Sequence, residues 1–147
     1  CTPGQVHRYL SKISGPLLDR IDIQCEIEAV PYEQLKDTQP GESSAVMPQR
    51  VLKARAIQNE RFKHSRLVHC NSMMNSKMVR QYCALDEECD KLLELMMNKL
   101  GLSARAYDRI LKVARTIADI DGAPDIQKKH LLEAISYRSL DRNSWAG

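Results

Sequence analysis

Residues 86–122 hold two consecutive amphipathic helices with their own start and stop signals, and this constrains the fold more than anything else in the chain. Asp86 is placed to cap the first, with Glu87 and Glu88 following where the positive end of a helix favours carboxylates, and Gly101 stands just past its end. Between these marks Cys89, Leu92, Leu93, Met96, Met97 and Leu100 recur on one helical face. Ser103 then opens a second helix that stops at Gly122 and carries Tyr107, Ile110, Leu111, Ala114, Ile117 and Ala118 together on one side. A third stripe of Ile126, Leu131, Ala134 and Ile135 follows Pro124-Asp125. Three apolar faces this close in sequence must cover one another, so a small helical bundle is expected. Only 5% of the residues are aromatic, which leaves the core to Leu, Ile, Met, Val and Ala and favours helices over a β-sandwich.

Ahead of this region the pattern changes twice. Val6, Tyr9, Leu10 and Ile13 have helical spacing, and Gly15-Pro16 stops them. Next, Ile21, Ile23, Cys25 and Ile27 alternate with Asp22, Gln24, Glu26 and Glu28, which is the period of a strand. One strand cannot stand alone in water, so a sheet or another copy is expected to complete it. Pro31, Pro40 and Gly41 then mark a linker, with a short turn near residues 32–36. Beyond it come a basic helix over about 44–63, whose start Pro48 is expected to shift or distort, and a short helical piece over 76–82. The expected division is therefore 1–30, a linker at 31–43, and a helical domain at 44–142.

Composition excludes little else. A formal charge of +3 on 147 residues does not announce a nucleic-acid protein. No apolar run is long enough to cross a membrane, and the first residues lack the zones of a signal peptide, so a cytoplasmic protein without membrane contact is expected. Five cysteines with no close CxxC pair indicate free thiols rather than a disulfide frame or zinc ribbon. His7, His64, His69 and His130 have no partners at ligand spacing, so no metal site is expected; Met73, Met74, Met96 and Met97 read as core filling. Because the chain opens on Cys1 with sequence typical of mid-domain, it is expected to be a piece of a longer protein.

Two arginines stand at the edges of regular elements. Arg20 lies between a Gly-Pro turn and the expected strand, where it can either pair with Asp19 or Asp22 or present its forked guanidinium to a phosphate. Arg105 is two residues into its helix, where backbone N–H groups and the helix dipole favour anions. It shares the polar face with Arg109, Lys112 and Thr116; the plain alternative is a solvated cationic face braced by pairs such as Asp108 with Lys112. The basic run Arg50, Lys53, Arg55, Arg61, Lys63 and Arg66 lacks interleaved aromatics apart from Phe62 and reads as a solvated face or a subunit contact rather than a phosphate-backbone site. Tyr82-Cys83-Ala84-Leu85-Asp86-Glu87 imitates a strand ending in magnesium-binding acids, but it leads directly into a helix, so capping is the expected role of Asp86.

The strings Ser14-Gly15-Pro16-Leu17-Leu18-Asp19-Arg20-Ile21-Asp22 and Ser103-Ala104-Arg105-Ala106-Tyr107-Asp108-Arg109-Ile110-Leu111 resemble the arginine-finger segment and sensor 2 helix of AAA+ ATPases, in the magnesium-chelatase-like branch. The spacing from Arg50 to Phe62 is similar to that family too. The resemblance implies a helical AAA+ lid preceded by a helix and strand of the α/β ATPase core. It also implies roles: Arg20 as a finger acting in trans on a neighbour's nucleotide, Arg105 as sensor 2, and Arg109 as its reserve. It implies ATP and Mg2+ in the full-length parent, which would form a ring of its own copies, six in the family, and act on DNA in recombination or transformation. None of the six glycines lies in a GxxxxGK[ST] pattern, so this piece is not expected to bind a cofactor or hydrolyse ATP by itself. Service to tetrapyrrole synthesis as a magnesium chelatase motor, and a non-catalytic helical interaction module, are the alternatives.

Overall fold

The computed structural model describes residues 2–10, 12, 14–18, 20–25, 27–32, 36 and 41–138. Its regular elements are helical: α1 (Pro3–Leu10), α2 (Gly15–Leu18), α3 (Met47–Arg61), α4 (Ser76–Tyr82), α5 (Glu87–Leu100), α6 (Ala104–Ile120) and α7 (Lys128–Ser136), with a 3-10 turn at Asn71–Met73. The mainly α bundle is as expected, and no helix among the described residues is long and apolar enough to cross a membrane.

The helix ends follow their local chemistry. Asp86 accepts the Cys89 N–H at 2.8 Å, Ser103 that of Ala106 at 3.2 Å, and Asn75 that of Met78 at 3.0 Å. Gly101 terminates α5 at φ 58°, and the Leu102 N–H reaches back to the Met97 carbonyl at 3.0 Å. A side chain there would be strained, so Gly101→Ala should lower stability by about 1 kcal/mol, readable in urea unfolding. Pro48 falls in the first turn of α3, where its missing N–H costs nothing, and the helix begins at Met47 rather than near residue 44. Helix α7 starts only at Lys128, because His130 Nδ1 accepts the Gln127 N–H at 3.0 Å and sets the cap there.

The Asp86 cap also sets an acid limb. The hydrogen bond from the Cys89 N–H holds its carboxyl below the usual carboxylate range. A folded pKa below the unfolded one means stabilisation that is complete above the unfolded pKa and is lost as pH falls through the folded one. Melting temperature should therefore drop below about pH 4, and Asp86→Asn, which still accepts the bond but cannot titrate, should flatten that part of the pH profile.

Helix α6 is the centre. Its Ala106, Ala114 and Ala118 have no exposed surface, which lets neighbouring backbones approach closely, while Ile110 and Leu111 fill the space beside them. Leu93, Val79, Ile126, Leu131 and Ile135 complete the core from α5, α4 and the segment through α7. Phe62 meets Tyr82 edge to face at 5.6 Å and ties the end of α3 to α4. Cys83 and Cys89 are buried, and burial pushes both thiols up to about 11, so they pack as small apolar groups.

Several expectations need correcting. The described residues of 20–32 form no β-strand, despite their alternation. Their backbone is engaged by the helical region instead: the Gln24 N–H donates to the Tyr137 carbonyl at 2.9 Å, and Arg138 donates to the Ile21 carbonyl at 2.5 Å. Tyr107 is 37% exposed rather than core, and Met73 is exposed while Met74 is buried. The expectations placed on Cys1, Ile13, Asp19, Glu26, residues 33–35, Pro40 and residues 139–142 lie outside the described residues.

Candidate functional site

The polar face of α6 lines a cleft of about 600 Å³. Arg105, Arg109, Lys112 and Thr116 come from that face, Asp22 and Ile23 from the segment after α2, Ser72 from the 3-10 turn, and Glu133 and Tyr137 from the end of α7. The helical wheel thus places these four residues together as expected. The four differ in what holds them.

Lys112 donates to the Ser72 carbonyl at 3.1 Å, and Thr116 donates to the Lys112 carbonyl at 2.8 Å while accepting from the Asn71 amide at 3.1 Å. Arg109 is ion-paired with Asp22 and donates to the Arg20 carbonyl at 2.8 Å. Arg105, in the first turn of α6, is exposed and makes no hydrogen bond or ion pair among the described residues. Its guanidinium is open to an anion, beside the orphan N–H groups of the helix start. Acidic groups temper the cleft: Asp108 accepts from Ser76 at 3.0 Å, and Glu133 accepts from the Tyr137 hydroxyl at 3.0 Å, which raises the Tyr137 pKa.

Arg20 is exposed in the turn after α2 and donates to the Pro16 carbonyl at 3.1 Å, a local contact back to that helix. The expected alternative pairing with Asp22 is not made, because Arg109 takes that carboxylate. The structure thus brings Arg105 and Arg109 to one cleft and joins the Arg20 backbone to Arg109. The Arg20 guanidinium does not line the cleft.

A second polar cluster lies beneath the site, and sequence reasoning passes over most of it. Asp119 is 1% exposed and accepts two bonds from the Arg61 fork, at 2.7 and 2.5 Å, one from Arg115 Nε at 3.1 Å and one from the Asn71 amide at 2.8 Å. Arg115 in turn donates to the Pro124 and Ala123 carbonyls at 2.8 and 2.7 Å, satisfying the chain where it leaves α6. The Gln58 side chain accepts the Asn71 N–H at 3.2 Å. These bonds hold α3, the 3-10 turn and the C-terminal half of α6 in one geometry. Arg61 is therefore not part of a solvated face, unlike the exposed Arg50, Lys53, Arg55, Lys63 and Arg66. Only the Arg115 to Asp119 spacing of four residues on one helix is a signal that the sequence carries.

Residues 41–138 match the family described as magnesium chelatase, subunit ChlI C-terminal, and residues 1–35 match magnesium chelatase, subunit ChlI. Among curated relatives, the uncharacterized protein YifB of Escherichia coli is 49% identical over 97% of this chain, and the competence protein ComM of Haemophilus influenzae 45% identical over 96%. A more distant relative, the uncharacterized protein Mb2921c of Mycobacterium bovis, is 28% identical over 94%. The chain spans 27% of the length of each of these three proteins. It belongs to the magnesium chelatase family, in the YifB/ComM branch.

Proposed function

We propose that this chain is the lid and arginine-finger region of a ring-forming, ComM-like motor that hydrolyses ATP. The observation that carries the reading is the open guanidinium of Arg105, held in the first turn of the central helix while its neighbours Arg109 and Lys112 are engaged. ATP and Mg2+ would be held by the rest of the parent, and this chain supplies positive charge. Arg105 is the sensor 2 group that meets the nucleotide phosphates and turns occupancy into lid position. Arg20 is the finger that neutralises charge on the phosphoryl group at the site of a neighbouring copy. The packed core and the Asp119 cluster make α6 stiff enough for a pull at its N-terminus to move the whole domain.

In the full-length parent, Arg105→Ala should raise the KM for ATP by roughly 10-fold, the worth of a charge-assisted hydrogen bond. It should also remove the change in α6–α7 hydrogen exchange that a non-hydrolysable ATP analogue induces in the unaltered protein. An unchanged response would take Arg105 out of the site. Similarity to the competence protein ComM of Haemophilus influenzae favours work on DNA over magnesium insertion into a tetrapyrrole. Stimulation of turnover by single- or double-stranded DNA, and not by a porphyrin, is the corresponding result.

A further inference from the structure

We infer that Arg109 is a positioning residue that ties the lid helix to the backbone carrying Arg20, so that finger and lid of one copy move as a single body. The inference rests on the function proposed above and gives Arg109 a different role from that of a reserve phosphate ligand.

The observations converge on one short stretch. From α6, Arg109 Nη1 donates to the Arg20 carbonyl at 2.8 Å and pairs with the Asp22 carboxylate. One residue along, the Ile21 carbonyl accepts from Arg138, whose side chain is buried just beyond α7. The Gln24 N–H then donates to the Tyr137 carbonyl at 2.9 Å. Four bonds thus fix residues 20–24 against the C-terminal half of the domain, from partners 87 to 117 positions away for the arginine contacts. Arg109 is the member that reaches the finger residue itself, and it does so through the main chain, leaving the Arg20 side chain exposed. Arg105 lies four positions earlier on the same helix, one turn away. A displacement of α6 driven by phosphate at Arg105 is therefore passed to the Arg20 backbone, and a finger withdrawn from a neighbour pulls on α6 by the same contact.

The test uses the full-length parent. Arg109→Ala should lower kcat by about 10- to 100-fold, the cost of misplacing a catalytic group by an ångström, with the KM for ATP and the melting temperature close to those of the unaltered protein. Asp22→Asn, altered at the other end of the contact, should reproduce the direction with a smaller effect. In an Arg20→Ala background Arg109→Ala should change kcat less than about twofold, because its route runs through the finger. An equal loss in that background, or a rise in KM without a fall in kcat, would make Arg109 a phosphate ligand and overturn the inference. Hydrogen exchange at the Gln24 amide gives an independent readout. Faster exchange in Arg109→Ala supports the tie, and unchanged exchange overturns it. Full turnover by Arg20→Ala would defeat the finger assignment, and the exchange result would still decide whether the tie exists.

Discussion

Arg20→Ala in the full-length parent should lower the rate of ATP hydrolysis by about 10³-fold or more while leaving nucleotide affinity nearly unchanged, because a finger contributes to the transition state rather than to ground-state binding. The placement of Arg20 suits a finger, since it is exposed in a turn and, among the described residues, its guanidinium is held by the Pro16 carbonyl of the preceding helix. A neutral acceptor at 3.1 Å is readily exchanged for phosphate oxygens, which bind the guanidinium more strongly. Arg20→Lys should recover little, since a point charge lacks the fork. Mixing altered copies with copies that lack a working nucleotide site but keep Arg20 should restore turnover if the finger acts across the interface. Normal hydrolysis by Arg20→Ala would refute the assignment outright.

Asp119→Ala should be the most destabilising single change in the helical domain, costing about 3–5 kcal/mol, the range for removing one partner of a buried ion pair. The Asp119 side chain has no exposed surface and faces two guanidinium groups, of which Arg115 is 4% exposed and Arg61 13%. Removing the carboxylate leaves both cations facing a cavity and deprives the Asn71 amide of an acceptor. Arg115 keeps its bonds to the Pro124 and Ala123 carbonyls, and that holds the loss within this range. Arg61→Ala should cost less, because the remaining carboxylate still has Arg115 and Asn71. Differential scanning calorimetry should show a fall in melting temperature of ~10 °C or more for Asp119→Ala. A shift of a degree or two would mean that the cluster contributes little to stability.

The two positions show how differently sequence and structure speak. Arg20, Arg105 and Arg109 stand out from motif and element boundary alone. Capping by Asp86 and Ser103, termination at Gly101 and the apolar face of α6 are equally open to reading, because each depends on groups within one or two helical turns. Asp119 shows in the sequence only its four-residue spacing from Arg115. Its main partner, Arg61, is 58 positions away and belongs by every local criterion to a basic, solvated helix. Likewise Asp22 has the look of the polar half of an alternating strand and proves to be the carboxylate that occupies Arg109.

Local spacing thus specified the ends of α5 and α6 and most of the face each of them buries, since those energies arise between residues three or four apart and are present before the chain closes on itself. Long-range packing assigned the cations. It alone determined that Arg61 and Arg115 share a buried carboxylate, that Arg109 holds the backbone at Arg20, and that Arg105 is left open beside the helix start. The reason is that any arginine can pair with any carboxylate, and which pair forms depends on the desolvated geometry reached when helices distant in sequence meet. The strand failed to appear among the described residues for the same reason: an extended backbone takes whatever hydrogen-bonding partners the fold brings to it, and here those were Arg109, Arg138 and Tyr137.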